Sequence, residues 1–272
     1  MNAKVGRRRG AGGLAWGLYL GAATLFLVGP VASIALYSVL DASFFKLPLP
    51  PLSLRWYRAF FESPVFSASL KSTLLLAAIV TPLCMAIALP TAWAIARLRF
   101  RGRELLNAMI LSPLVLPGVV TGIALLSLFG LLSLKDGFVR MSLGMTLLCL
   151  PFAVRALTAN FHGLDPSSED AARNLGAGPF LTFWRVTLPQ LKPGLIAGGV
   201  FVFVETMDNF SINVFLADTR SKTLPVAAFE HIRDFDDPTV AAMATLLSVL
   251  SVLIVLAVDR LVGLDRFLRH GG

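Results

Sequence analysis

Long apolar stretches, separated by short charged segments, constrain this chain more than any other feature. Each has about 18 or more residues, which is enough for a helix to cross ~30 Å of hydrocarbon. We identify six: Leu14–Leu40, Leu70–Ala96, Leu105–Ser133, Met141–Thr158, Leu191–Leu216 and Val240–Val262. A spanning segment must satisfy its own backbone hydrogen bonds, and these stretches lack the alternation of barrel strands. The sequence therefore predicts an all-α integral membrane protein with six transmembrane helices.

The distribution of charge predicts an orientation for these helices. Taken together, the segments before the first stretch, between the second and third, between the fourth and fifth, and after the sixth carry 12 Lys and Arg against 5 Asp and Glu. The other three connecting segments are nearly balanced. By the positive-inside rule, both termini are expected in the cytoplasm, including the basic segment 1–13. The net charge of +8 therefore indicates membrane topology and contact with lipid rather than a nucleic-acid partner.

The chain has no linker or low-complexity segment, so residues 1–272 are expected to form one membrane domain. Pro113 and Pro117 lie within the third stretch, where each removes a backbone donor and can bend the helix. They either shape a pathway-lining helix or reflect ordinary membrane-helix composition. Three glycine pairs have the spacing that permits close contact between helices, a spacing that is also frequent by chance in glycine-rich spans: Gly17/Gly21, Gly118/Gly122 and Gly194/Gly198.

The segment 163–189, between the fourth and fifth stretches, combines helix signals with charge. Asp165 and Pro166 form a good helix start, because Asp can cap free amides and Pro suits the first turn. Gly176 and Gly178 can end that helix in left-handed geometry. A second short helix is expected to carry an aromatic face made of Phe180, Phe183 and Trp184. The aromatic residues either dock into a partner or pack against the protein's own helices.

The same segment resembles a known motif. Asp170–Pro189 reads DAARNLGAGPFLTFWRVTLP, which is similar to the EAA motif of ABC-importer permeases: EAA, three residues, Gly, nine residues, Ile-x-Leu-Pro. Asp stands for Glu and Val for Ile, and the spacing is intact. The Pro-Phe pair at 151–152 and Thr-Leu-Pro at 223–225 also resemble the family, so the likeness extends over nearly the whole chain.

The resemblance implies the type I ABC-importer permease fold and a permease subunit of the bacterial inner membrane, with 163–189 as a cytoplasmic coupling loop. It also implies that an ATPase subunit, in two copies, docks on this loop through Glu169, Asp170, Ala171, Ala172, Leu175, Gly176 and Phe180. Further implied partners are a second permease chain and an extracytoplasmic substrate-binding protein. The sequence has no G-x-x-x-x-G-K-[ST] phosphate loop. The chain is thus expected to be no enzyme and to bind no cofactor, with ATP and Mg on the partner ATPase.

The fifth stretch contains two acids, Glu205 and Asp208, three residues apart and so on one helix face. Ionisable groups in hydrocarbon usually face a bundle interior or an aqueous cavity. We therefore expect this half of the stretch to line the translocation pathway, with Asn209 and Asn213. Alternatively, the carboxylates satisfy neighbouring helices or partner-subunit residues, or Asp208 lies in water at the outer interface.

The nature of the cargo is a separate question. The sequence from Glu205 to Val226 is similar to the branch of the family that imports spermidine and putrescine, and a cationic polyamine would suit two carboxylates. Related branches import iron, thiamine, phosphonates or amino-acid-like solutes. An alternative of another class is a proton-coupled secondary transporter that uses Glu205 and Asp208, although no internal repeat supports it. An intramembrane enzyme has little support, because His162, His231 and His270 lie outside any catalytic motif.

Overall fold

A computed structural model describes residues 11–41, 50–235 and 237–262. Most of the predicted basic segment 1–13 lies outside these ranges. Within them the chain is helical, and the β-structure is one isolated bridge between Leu40 and Leu52. The prediction of an all-α protein is confirmed.

The helices in the first half of the chain are α1 (Ala11–Ser38), α2 (Arg55–Glu62), α3 (Pro64–Arg97), α4 (Arg103–Leu111), α5 (Gly118–Leu131) and α6 (Gly137–Gly163). Those in the second half are α7 (Pro166–Asn174), α8 (Pro179–Thr182), α9 (Leu188–Gln190), α10 (Lys192–Asp208), α11 (Asn213–Leu216), α12 (Leu224–Asp234) and α13 (Thr239–Val262). Among the described residues, four single helices are long and apolar enough to cross a membrane: α1, α3, α6 and α13. Two bent helix pairs bring the number of spans to as many as six.

The third apolar stretch is the first of these bent pairs. A short 3₁₀ turn, Ser112–Leu114, follows α4, and α5 then leaves at 105° to α4. Pro113 lies in that turn and Pro117 caps the start of α5. The two prolines remove two backbone donors within one helical turn, so the helix cannot continue through them. The third apolar stretch, Leu105–Ser133, therefore consists of two helices, and the bend lies at the two prolines that the sequence singled out.

The fifth apolar stretch also departs from a single helix. A π-helical turn, Phe183–Thr187, joins α8 to α9, and α10 follows at a bend of 66°. The helix ends at Asp208, and the backbone of Asn209 is extended. The Asn209 side chain accepts from the amide of Ile212, an alternative that competes with helical bonding. The predicted continuous span Leu191–Leu216 therefore ends early, and its last residues form the separate helix α11.

The core of the bundle is built by α3, α6 and α10, whose facing side chains include the fully buried Leu76, Cys84, Cys149 and Val202. The segment before and within α11 packs against α5 and α6 where these helices carry glycine. A Cβ on Gly118 would lie 2.9 Å from Cβ of Ser211, and one on Gly122 would lie 2.7 Å from Cδ2 of Phe215. The glycine spacing thus coincides with a close contact at Gly118 and Gly122, whereas a Cβ on Gly17 or Gly21 would meet nothing within 4 Å.

A second apolar cluster closes the end of the bundle away from α7. Phe60 of α2 and Phe66 of α3 pack there with Leu224, Ala227 and Met243 from α12 and α13. The backbone amide of Leu224 donates to the buried hydroxyl of Thr73 in α3, across 2.7 Å. This end is therefore tied together by apolar packing and by a buried hydrogen bond between elements distant in sequence.

Candidate functional site

The α7 helix begins and ends at strong local signals. Asp165 caps it: the carboxylate accepts from the amide of Ser167 at 2.9 Å and from its hydroxyl at 2.6 Å. These two bonds lower the pKa of Asp165 below its usual range. At the other end, Gly176 has φ +85° and its amide bonds to the Arg173 carbonyl, while Ala177 reaches back to Ala172. The predicted start at Asp165 and end at Gly176 are confirmed.

Gly178 behaves differently from the prediction. Its φ is −68° and its ψ is 163°, so it is extended rather than left-handed. Gly178 precedes the first turn of α8, which opens on Pro179. The expectation that both glycines end α7 in left-handed geometry is wrong for this residue, because Gly176 alone completes the helix end.

The motif residues divide between the two sides of α7. The side chain of Asp170 is 66% exposed and that of Leu175 is 89% exposed, and Phe180 beyond the helix is 77% exposed. Ala171 and Gly176 are exposed as well, whereas Ala172 is half-buried. An outward surface of Asp170, Ala171, Leu175, Gly176 and Phe180, which we call the motif surface, is therefore free of contacts with the protein's own core.

Glu169 faces the opposite way. Its side chain is 14% exposed, and Oε1 accepts from the Thr187 hydroxyl at 3.0 Å and from Nη2 of Arg97 at 3.4 Å. Arg173 lies 3.8 Å from its other oxygen. The sequence did not single out Arg97 or Thr187 as partners of the motif. Arg97 is the last residue of α3 and the first of the basic segment 97–103, which reads RLRFRGR and was the only signal available.

The aromatic residues after Gly178 do not act as one face. Phe183 packs against the bundle core, whereas Phe180 and Trp184 are exposed. The alternative in which the aromatics pack on the protein's own helices therefore holds for Phe183 and not for the other two. Phe180 and Phe183 also line an apolar notch of about 380 Å³ against Leu89, Pro90 and Trp93 of α3.

The predicted pathway residues lie around the break after α10. Glu205 is half-buried and accepts from Nδ2 of Asn209 at 3.1 Å. Asn213 is fully buried, and its Nδ2 donates to the backbone carbonyl of Asn209 at 2.8 Å. Within the described part of the chain, Oδ1 of Asn213 has no hydrogen-bond partner. Three of the four residues thus form one polar chain that holds the helix end and the start of α11.

Asp208 is separate from this chain. It is exposed and lines a cleft of about 610 Å³ between the end of α10, α12 and α13. The walls are mainly apolar and include Met207, Phe229 and Met243. Among the described residues that line it, Asp208 carries the only charge. The two acids that the sequence placed on one face therefore have different surroundings, and Asp208 is the one that faces open space.

Known proteins with similar sequences are membrane components of transport systems. Residues 86–264 match the family described as binding-protein-dependent transport system inner membrane component. The chain is 28% identical to the spermidine/putrescine transport system permease protein PotC of Shigella flexneri, over 96% of this chain and 98% of that protein. It is 34% identical to the molybdenum transport system permease protein ModB of Mycobacterium tuberculosis, over 79% of this chain and 88% of that protein. The sulfate transport system permease protein CysT of Escherichia coli strain K12 is 28% identical, over 88% and 91%.

Solved structures show the same fold. A bacterial ABC transporter involved in the import of the acidic polysaccharide alginate matches with a TM-score of 0.70 and 20% identity, over 92% of this chain and 95% of that chain. The MetNI methionine ABC transporter matches with a TM-score of 0.63 and 18% identity, over 71% and 93%. The family match and the fold favour a transport permease over a proton-coupled secondary transporter or an intramembrane enzyme. The chain belongs to the binding-protein-dependent transport system inner membrane components, the multi-pass permease subunits of type I ABC importers.

Proposed function

We propose that this permease forms half of a translocation pathway and is driven by a separate ATPase that docks on the motif surface. The observation that carries the proposal is the outward exposure of Asp170, Leu175 and Phe180 on a short capped helix. Large apolar side chains exposed beside a charge are typical of a protein-binding surface. In this proposal the loop 163–189 lies in the cytoplasm, and ATP and Mg bind to the partner.

The remaining partners follow from the same proposal. The family name describes systems that depend on a binding protein, and one matching structure is an alginate transporter in complex with a periplasmic protein bound to alginate pentasaccharide. We infer that this permease likewise receives its solute from an extracytoplasmic binding protein. It pairs with a second permease chain, and two copies of the ATPase bind to this pair of permeases.

Co-purification tests the docking surface. The tagged permease is isolated from its native membranes, and mass spectrometry identifies co-purifying proteins that carry a G-x-x-x-x-G-K-[ST] motif. Asp170→Arg reverses an exposed charge, and Gly176→Asp puts a side chain at φ +85° and a negative charge at a helix C-terminus. Either change should reduce the recovered ATPase at least about tenfold, the effect of losing ~1.4 kcal/mol of binding.

Asp234→Arg is the matched control. Asp234 is also an exposed acid near a helix end, but it lies on α12, at the opposite end of the bundle. This variant should retain the ATPase. Full recovery of the ATPase with both Asp170→Arg and Gly176→Asp would contradict docking on the motif surface.

For the cargo, we propose a small organic cation such as a polyamine. The support is the Asp208 carboxylate in a mainly apolar cleft of about 610 Å³. A charged carboxylate near hydrocarbon is costly, ~3 kcal/mol on insertion scales, and a cationic solute would offset that cost. Sulfate or another oxyanion would be repelled at this position, although the chain resembles a sulfate permease as well.

Uptake of labelled solutes tests this cargo. We expect cells with the intact transporter to take up putrescine or spermidine, and Asp208→Asn to lower that uptake about tenfold through the lost attraction to the cation. Glu205→Gln is the matched control, because Gln still offers an acceptor to Asn209 and Glu205 lies outside the lining of the cleft. Transport of sulfate and not of polyamines, or identical polyamine uptake by Asp208→Asn, would contradict the proposal.

A further inference from the structure

The α7 helix has few interactions within itself that could fix its position. It spans nine residues, and none of its side chains is fully buried. An isolated helix of this length is marginal in water, so its position has to come from contacts with the rest of the protein. The question is which residue supplies them.

Glu169 is the charged residue of α7 that turns towards the membrane helices. One oxygen, Oε1, accepts from both the Thr187 hydroxyl and the Arg97 guanidinium. Thr187 is the last residue of the π-helical turn and is 2% exposed, and Arg97 ends α3. A single carboxylate thus connects three elements: α7, the end of a spanning helix, and the turn that leads through α9 into α10.

The surroundings make these bonds stronger than a surface ion pair. The side chains of Arg97 and Glu169 are both mostly buried, at 22% and 14% exposure. The Thr187 hydroxyl makes a 3.0 Å bond to the charged carboxylate, and at 3.4 Å Arg97 adds the attraction of a partly buried ion pair. Asp170, one residue later, reaches only Arg173 on its own helix, and both of these side chains are more than half exposed. Two neighbouring acids of α7 therefore have different surroundings: Glu169 contacts the bundle and Asp170 contacts only its own helix.

We propose that Glu169 is a positioning residue: through Arg97 and Thr187 it fixes α7 to α3 and to the π-helical turn, so that the motif surface is held ready for the ATPase. This rests on the proposed function for its purpose, but not for the contact itself. Glu169 does not touch the ATPase in this arrangement. Movement of a docked ATPase would be passed to α3 and α10 through its carboxylate.

Hydrogen exchange of the full chain in lipid nanodiscs tests the contact without any partner. Glu169→Ala should speed exchange of the α7 amides about tenfold, the effect of losing a charge-assisted bond that holds a local element. Asp170→Ala is the matched control, since it gives the same new residue at the next position and removes only a surface pair. Arg97→Ala, which leaves the Thr187 bond in place, should speed exchange in the same direction but by less, and the double variant should match Glu169→Ala alone.

A second measurement separates positioning from general damage. Purified ATPase is titrated against permease nanodiscs while MgATP hydrolysis is followed. Glu169→Ala should raise the ATPase concentration at half-saturation about tenfold, because the surface is no longer pre-organised, and leave the maximal hydrolysis rate unchanged. Arg97→Lys, which keeps the charge, should stay close to the unaltered protein, whereas Arg97→Ala should not.

Unchanged α7 exchange in both Glu169→Ala and Arg97→Ala would overturn the proposal, whatever the ATPase does. Faster exchange in Asp170→Ala equal to that in Glu169→Ala would overturn it as well. The proposed function fails in a different way: the unaltered permease would then show no saturable binding of the ATPase at all.

Discussion

The backbone amide of Gly137 donates to Oδ2 of Asp218 across 2.8 Å, and so joins the first turn of α6 to a loop 81 residues later. The other oxygen of Asp218 accepts from the amides of Arg220 and Ser221. Burial alone would raise the pKa of Asp218, but the three backbone donors outweigh it and lower the pKa below its usual range. This carboxylate holds the end of the bundle opposite α7.

Acid should weaken that contact. Because folding lowers the pKa of Asp218, its contribution to stability is complete above the ordinary pKa of about 3.9 and is lost as the pH falls through the folded-state pKa. Asp218→Asn should cost ~1 kcal/mol at pH 7, because Asn keeps only one acceptor oxygen, so that either the Gly137 amide or the Arg220 and Ser221 amides then face an NH2 group that cannot accept. The melting temperatures of the two proteins, measured in nanodiscs, should converge below about pH 4.

Other acids titrate equally in both proteins, so the difference between the two melting curves isolates Asp218. A gap in melting temperature that is the same at pH 7 and at pH 3.5 would show that the carboxylate does not hold these amides in its charged form.

Replacement of one glycine in α5 should disturb the packing of α11. Gly122→Ala would place its Cβ 2.7 Å from Phe215 and 3.3 Å from the backbone oxygen of Ser211. Overpacking of this kind costs about 1–3 kcal/mol. Gly130→Ala, in the same helix, meets nothing within 4 Å and should be neutral or stabilising. Thermal unfolding in detergent compares the two, and equal melting temperatures would contradict the close contact.

Loss of one hydroxyl should loosen α12 from α3. Thr73→Val leaves the buried amide of Leu224 without its acceptor, and an unsatisfied buried amide costs about 1–3 kcal/mol. The matched variant is Thr91→Val, whose hydroxyl bonds only the carbonyl of Ile87 in its own helix. Denaturant unfolding should separate the two variants. If Thr73→Val is no less stable than Thr91→Val, the bond to Leu224 is not part of the folded protein.

The sequence correctly predicted the structural features that depend on residues close together in the chain. The apolar stretches predicted the helices, and Asp165 and Gly176 predicted the limits of α7. These signals depend on neighbouring residues alone, and so they can be read without the fold.

The sequence was less informative about helix ends and side-chain directions that depend on contacts between residues distant in the chain. The fifth stretch is continuous in hydropathy, yet its helix ends at Asp208, where the Asn209 side chain bonds to the Ile212 amide. Glu169 and Asp170 are neighbouring acids at the start of α7, yet Glu169 turns inward because Arg97 and Thr187 lie there. Glu205 and Asp208 share a helix face by spacing, but the helix ends at Asp208 and separates their surroundings.

Photo-crosslinking from Leu175 tests the central claim most directly. A photoreactive amino acid replaces Leu175, which is 89% exposed on the motif surface, and in a second variant Leu131, which is 85% exposed at the end of α5 away from α7. Irradiation of native membranes should join position 175, and not position 131, to a protein with an ATP-binding phosphate loop. Crosslinking of that protein from both positions alike, or from neither, would contradict an ATPase docked on α7.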